Sequence, residues 1–144
     1  MDIVARTPVH LWIVGIVSLL WNAFGAFDYI MTQTQNGAYL AQFSEADRLY
    51  FQSFPGWMEA AWALGVWGGV AGSLLLLARS RHAEFAFGLS LLGLVVATIY
   101  QHGLSALPVD LRSGSMLAMT AAIWAVAIAL FAYAHQMRAR GLLR

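Results

Sequence analysis

The segment VHLWIVGIVSLLWNAFGAFDYIM, residues 9–31, decides the fold of this chain. It has the length and apolar character of a helix that crosses a bilayer, which takes about 20 residues. Small and polar residues nevertheless recur along it at i, i+4, i+7, i+10, i+11 and i+14, the spacing of one helix face. These residues are Ser18, Asn22, Gly25, Asp28, Tyr29 and Thr32. Because polar groups that face lipid are costly, this stripe should face other helices.

The composition is typical of an integral membrane protein. Of the 144 residues, 60% are hydrophobic and only 10% are charged, and the mean hydropathy is +0.67. Soluble domains carry about 25% charged residues. The chain has no cysteine and no lysine, which excludes thiolate and Schiff-base chemistry. The net charge of +1 gives no sign of a nucleic-acid partner. With no catalytic motif present, we expect a protein that is not an enzyme and has the lipid bilayer as its surroundings.

Four segments are long and apolar enough to span the membrane. They predict helices over residues 9–31, 56–78, 85–106 and 116–136, within a single domain of residues 1–144. Short connections join the second span to the third and the third to the fourth, so these neighbours should be antiparallel. The predicted fold is therefore all-α, a four-helix transmembrane bundle.

The distribution of arginine predicts the orientation of this bundle. Two arginines, Arg48 and Arg112, lie in connections on one side. The other six lie on the opposite side: Arg6, Arg79, Arg81, Arg138, Arg140 and Arg144. The positive-inside rule then places both termini in the cytoplasm and the long connection of residues 32–55 outside. Within that connection, Ser44 is a typical N-cap, and it predicts a short extracytoplasmic helix that covers the outer interface or the mouth of the bundle.

Small residues predict where the helices pack. Lipid gives helices no hydrophobic reason to associate, so close contact between backbones must hold them together. The second span carries two overlapping GxxxG spacings, and the fourth carries alanines at i, i+4, i+7 and i+11. The predicted seams are Gly65, Gly68, Gly69 and Gly72, and Ala118, Ala122, Ala125 and Ala129. The same stripes would also suit a homo-oligomer interface.

Polar residues in the outer halves of the first three spans predict a functional site. Ionisable groups inside spans are candidates for function by default. The candidate ligand-binding residues are Asn22, Asp28, Tyr29, Glu59, Gln101 and His102. If the three spans touch, these side chains would form an outward-facing pocket for a small polar solute or cation, with binding or transport as the function. An alternative is an accessory subunit that docks to a larger inner-membrane complex.

A third alternative is a redox protein. His10 and His135 could be axial ligands of a haem, or Asp28, Glu59 and His102 could bind a metal ion. The sequence has none of the local ligand spacings of known metal motifs. We therefore expect no cofactor and no metal.

Several stretches resemble a known family. They are Trp21 to Tyr29, Met31 to Thr34, Phe54 to Trp57 and Trp62 to Trp67. Together they are similar to a family of small four-span bacterial membrane proteins of uncharacterised mechanism, whose members often carry the automatic name sugar transporter. The resemblance covers His10 to Leu104. It implies a multi-pass protein of the bacterial inner membrane, and it brings no catalytic residues to these positions.

Overall fold

The computed structural model describes residues 6–144, and all regular secondary structure in this range is helical. In chain order the α-helices are α1 (Val9–Gln33), α2 (Gly37–Leu40), α3 (Glu45–Gln52), α4 (Gly56–Leu77), α5 (His82–Ile99) and α6 (Gly114–Ala139). Helix α5 continues as a π-helical turn over Tyr100–Leu104, and a short 3-10 turn over Asp110–Arg112 leads into α6.

The four long helices are the predicted spans. Helices α1, α4, α6, and α5 with its π-helical turn, are each long and apolar enough to cross a membrane. The chain is thus a multi-pass membrane protein with a four-helix bundle. At 1.5 Å per residue, the 25 residues of α1 measure about 38 Å, more than the roughly 30 Å of a hydrocarbon core. Helix α5 starts at His82, three residues before the predicted third span and a few residues after α4 ends.

The spanning helices form a row in which α4 packs against α1 and α5, and α6 packs against α5. Glycines bring α4 and α5 into near contact. A β-carbon added at Gly93 of α5 would lie 2.5 Å from the backbone nitrogen of Gly65, and one at Gly68 would lie 3.0 Å from the nitrogen of Ser90. Gly69 faces Asn22 of α1 instead, and Gly72 faces the ring of Phe87. All four predicted glycines of α4 therefore lie at helix–helix contacts.

The predicted alanine stripe of α6 lies mostly on the exposed surface of the helix. Ala118, Ala125 and Ala129 are exposed, and Ala122 is half-buried. The intramolecular seam predicted for them is therefore wrong. Helix α6 packs mainly through its C-terminal half, where Leu130, Ala134 and Met137 are buried. Alanine spacing failed as a signal because α6 approaches only α5 along its length, which leaves most of its circumference free.

A core closes one end of the bundle, which we call the arginine end because Arg6, Arg79, Arg81, Arg138, Arg140 and Arg144 lie there. Its buried members come from all four spanning helices and from the segment after α6: Leu11, Leu76, Ala83, Phe87, Leu130, Ala134, Met137, Leu142 and Leu143. The backbone of Arg144 pairs with the turn between α4 and α5, donating to the carbonyl of Arg79 at 2.8 Å and accepting from the nitrogen of Arg81 at 3.0 Å.

The opposite end, the loop end, carries α2 and α3. The hydroxyl of Ser44 caps α3 by accepting from the backbone nitrogen of Asp47 at 3.2 Å, so the helix predicted from Ser44 is present. Tyr50, Phe54 and Met58 are buried there with Tyr100 beside them. These rings hold α3 over the loop ends of α4 and α5. Helix α2, capped by Asn36, was not predicted.

Candidate ligand-binding cavity between the spanning helices

A cavity of about 340 Å³ lies between α1, α4, α5 and α6. It begins near the middle of the bundle, at the level of Trp21, the central residue of α1, and extends towards the loop end. Most of its wall is apolar, with a few polar groups among the side chains. The lining residues are Trp21, Asn22, Phe24, Gly25, Asp28, Ala61, Trp62, Gly65, Val66, Gly69, Phe87, Ser90, Gly93, Leu94, Ala97, Thr98, Gln101, Met119, Thr120, Ile123, Val126, Ala127 and Leu130.

The cavity opens sideways, between α1 and α6. These two helices meet at the arginine end, where the imidazole of His10 hydrogen-bonds the hydroxyl of Tyr133, but they do not pack along their length. Two lining residues of α1, Trp21 and Phe24, and two of α6, Met119 and Ile123, are exposed on the outside of the bundle. The mouth of the cavity therefore faces the level of the acyl chains.

The polar stripe of α1 faces protein, as predicted. Ser18 and Thr32 are buried. The amide of Asn22 donates to the hydroxyl of Ser73 at 3.1 Å, and that hydroxyl donates onward to the carbonyl of Gly69 at 3.0 Å. Asn22 thus lies at the deep end of the cavity and also joins α1 to α4. An added β-carbon at Gly25 would meet nothing within 4 Å, so this glycine borders open cavity space.

Asp28 is joined to the loop-end segment. The hydroxyl of Tyr39 in α2 donates to Oδ1 of Asp28 at 2.5 Å. Burial raises the pKa of Tyr39 above its usual value of 10.0, and the hydrogen bond and charge of Asp28 raise it further. The pair stabilises a protonated phenol beside a carboxylate. It also fastens the connection between α1 and α4 to the rim of the cavity.

Gln101 reaches the cavity from the π-helical turn at the end of α5. Single π-helical turns inside helices occur frequently at functional sites. Two threonines that we did not predict as site residues, Thr98 and Thr120, line the same region. The Thr98 hydroxyl donates to the carbonyl of Leu94 at 2.7 Å and accepts from the indole of Trp124 at 3.2 Å. Its position three residues before Gln101, on the same helix face, is a signal that could have identified it.

The other predicted site residues lie apart from this cavity. Tyr29 packs edge-on against Trp62 and Trp67, with ring centroids 5.0 and 6.3 Å away. Glu59 is half-buried but is not part of the cavity wall, and His102 is exposed on a shallow groove beside Trp124. The pocket that we expected between the first three spans is thus replaced by one that includes α6 and excludes Glu59 and His102. Glu59 lies nearer the loop end than Ala61, the first α4 residue of the wall, whereas His102 follows the cavity-lining Gln101 by one residue and so points in another direction.

The two histidines considered as haem ligands make other contacts. His10 bonds Tyr133, and His135 lies 3.0 Å from the carboxylate of Glu84, which Arg138 also contacts at 2.8 Å. Within residues 6–144, no group of three or more histidine or acidic side chains is arranged to hold a metal ion. Asp28, Glu59 and His102 therefore do not form the metal site that we considered.

Comparisons of the chain with protein-family models, curated proteins and solved structures return no match.

Proposed function

We propose that this chain is a protein of the bacterial inner membrane that binds a small molecule in the cavity between α1, α4, α5 and α6. The observation that carries the proposal is the cavity itself. Its volume of about 340 Å³ lies within the range of small-molecule sites, roughly 300–1,000 Å³. Such sites combine apolar walls with a few placed polar groups, and Asn22, Asp28 and Gln101 are such groups here. The family resemblance and the arginine asymmetry support the membrane and the orientation.

The contrast with the rest of the bundle also supports binding. Protein interiors are closely packed, and an empty cavity costs stability. Helices α4 and α5 approach until their backbones touch near Gly65 and Gly93, whereas α6 stands away from α1 over the same depth. A chain of this size would gain stability by closing that gap. A ligand in the gap would supply the missing contacts.

Binding by one copy is the form of the proposal that the geometry favours over transport. Beyond the cavity, the arginine end is filled by Leu11, Leu76 and Met137, each at most 2% exposed. Passage of a solute through a single copy would require these side chains to separate. Transport would therefore need a second conformation or several copies.

The test compares two variants of α1 that add the same bulk in different directions. Gly25→Phe places a ring in the cavity, and Ala23→Phe places it on the exposed outer side of α1. Each protein is purified in lipid nanodiscs, and the molecules extracted from it are compared by mass spectrometry. We expect a compound that is retained by the parent and by Ala23→Phe and lost from Gly25→Phe. Identical extracts from all three proteins would contradict binding in the cavity.

An accessory subunit is the second candidate, and the exposed alanines of α6 favour it. Ala118, Ala125 and Ala129 would let another helix approach closely. Under this hypothesis Ala125→Leu should release a co-purifying partner, whereas Ile128→Leu, at an exposed position of the same helix, should not. Retention of the same partners by both variants would remove the support for this candidate.

A further inference from the structure

The cavity has one ionisable lining residue, and that residue is acidic. Among residues 6–144, Asp28 is the only aspartate, glutamate, histidine or arginine in its wall. The Tyr39 hydroxyl donates to one of its carboxylate oxygens, Oδ1. Within residues 6–144 the other oxygen has no side-chain hydrogen bond, so it can accept one from a ligand. An anionic ligand group at this position would meet a carboxylate without a balancing cation. A neutral or cationic group that donates hydrogen bonds would be stabilised there.

Hydroxyl and amide groups of the wall can also form hydrogen bonds with such a ligand. The hydroxyls of Ser90, Thr98 and Thr120 already donate to helix carbonyls, at 2.5, 2.7 and 3.0 Å. The oxygens of these hydroxyls keep lone pairs that can accept hydrogen bonds, of which Thr98 already uses one for the indole of Trp124 at 3.2 Å. The side-chain amide of Gln101 can both donate and accept. The polar part of the wall is therefore rich in acceptors.

The mouth of the cavity decides what kind of molecule can reach these groups. It lies between the exposed side chains of Phe24 on α1 and Met119 on α6, which are 68% and 47% exposed. Because these residues belong to membrane-spanning helices, the mouth meets acyl chains rather than water. A molecule that enters here must already be dissolved in the bilayer.

We propose that the occupant is an amphiphile with one apolar tail and a neutral or cationic head group that donates hydrogen bonds. It enters between α1 and α6, and its head group binds at Asp28 and Gln101. Its tail lies against the apolar wall formed by Trp21, Val126 and Leu130. This inference rests on the proposed function, because it names the class of molecule that the same cavity binds.

The experiment uses photoreactive probes that share one alkyl tail and differ in the head group. The head groups are an alcohol, a primary amine and a carboxylate, and a fourth set of compounds has the same heads without the tail. Each tailed probe is incorporated into nanodiscs with the parent protein, and labelled peptides of α1 and α6 are quantified. We expect the alcohol and the amine to label these peptides at least several-fold more than the carboxylate. The tail-less compounds should compete poorly.

Four variants test the assignment, and two of them are at Asp28. Asp28→Asn should lower labelling by the amine and raise labelling by the carboxylate, so that the two become similar. Asp28→Glu keeps the negative charge, so it should show the same head-group preference as the parent. This control separates a loss of charge from a loss caused by misfolding. Gly25→Phe should abolish labelling by every tailed probe, and Ala23→Phe should leave it unchanged.

The outcomes separate this inference from the proposed function. If Gly25→Phe leaves the labelling by every probe unchanged, the cavity is not a binding site and both proposals fail. If Gly25→Phe blocks labelling but the carboxylate labels as well as the amine, the assignment of the head group is wrong. If Gly25→Phe blocks labelling but the tail-less compounds compete as well as the tailed probes, the occupant is a polar solute. In these last two cases only the inference about the amphiphile fails.

Discussion

Gly65 of α4 and Gly93 of α5 meet backbone to backbone, but the space at the two positions is unequal. A β-carbon added at Gly93 would lie 2.5 Å from the Gly65 nitrogen and 2.5 Å from the carbonyl oxygen of Ala61. One added at Gly65 would find its nearest neighbour, the carbonyl oxygen of Ser90, at 3.6 Å. The crossing of the two helices thus depends on one glycine far more than on the other.

This difference in space predicts that an alanine substitution destabilises the protein at one of the two positions and not at the other. Gly93→Ala should lower the free energy of unfolding by about 2 kcal/mol, because rigid backbone cannot yield to the new methyl group. Gly65→Ala should be tolerated, since 3.6 Å is an ordinary contact and alanine favours the helix over glycine. Thermal unfolding of both variants in the same detergent measures the difference. Equal melting temperatures would mean that α4 and α5 do not cross at this point.

The hydrogen bond between Asn22 and Ser73 should contribute measurably to the packing of α1 on α4. In membrane proteins such bonds contribute about 0.6 kcal/mol on average. A double-mutant cycle with Asn22→Ala, Ser73→Ala and the double variant should give a coupling energy of about 0.5–1.5 kcal/mol. Additive effects of the two substitutions would show that the side chains do not interact.

The contact between Tyr39 and Asp28 predicts a loss of stability at alkaline pH. Because the pKa of Tyr39 is raised above 10.0 in the folded protein, the unfolded chain releases this proton first. The free energy of unfolding should therefore fall as the pH rises above about 10, whereas at lower pH the contribution of Tyr39 is fully present and does not change with pH. Tyr39→Phe should flatten the curve in that alkaline range. Parallel curves for the parent and the variant would contradict the contact.

The orientation of the bundle can be tested with single cysteines, since the chain has none of its own. Asn36, His82 and Asp110 are all exposed positions. Cysteines at Asn36 and Asp110 should react with an impermeant thiol reagent added to intact cells, and one at His82 should react only after the cells are opened. The reverse pattern would place the arginine end outside and overturn the prediction from the positive-inside rule.

Hydropathy was enough to predict the four spans, because the length of an apolar helix follows from the thickness of the bilayer. The polar stripe of α1 was also informative, since a residue such as Asn22 has no favourable place against lipid. The glycines of α4 were informative for a related reason. Small residues let helices approach closely, and at Gly68 an added β-carbon would lie 3.0 Å from the backbone nitrogen of Ser90 in α5.

The sequence did not decide how the helices turn about their axes. His102 was grouped with Gln101, its neighbour in the sequence, yet consecutive residues of a helix point in different directions and only Gln101 lines the cavity. The stripe that includes Ala125 could not be assigned, because alanine suits a helix contact and a lipid-facing surface equally well. Only the arrangement of all four helices shows that α6 leaves a gap beside α1.

The core at the arginine end joins residues from opposite ends of the chain. Leu11 and Leu143 belong to the same buried cluster, about 130 residues apart. At 5–20 residues per second, a ribosome needs on the order of ten seconds to make the chain between them. During that interval α1 can enter the membrane and meet α4, but it cannot complete its contacts at the arginine end. Insertion of the first helix and closure of the core at the arginine end are therefore separate events in time, and the second cannot be completed before Leu143 has been synthesised.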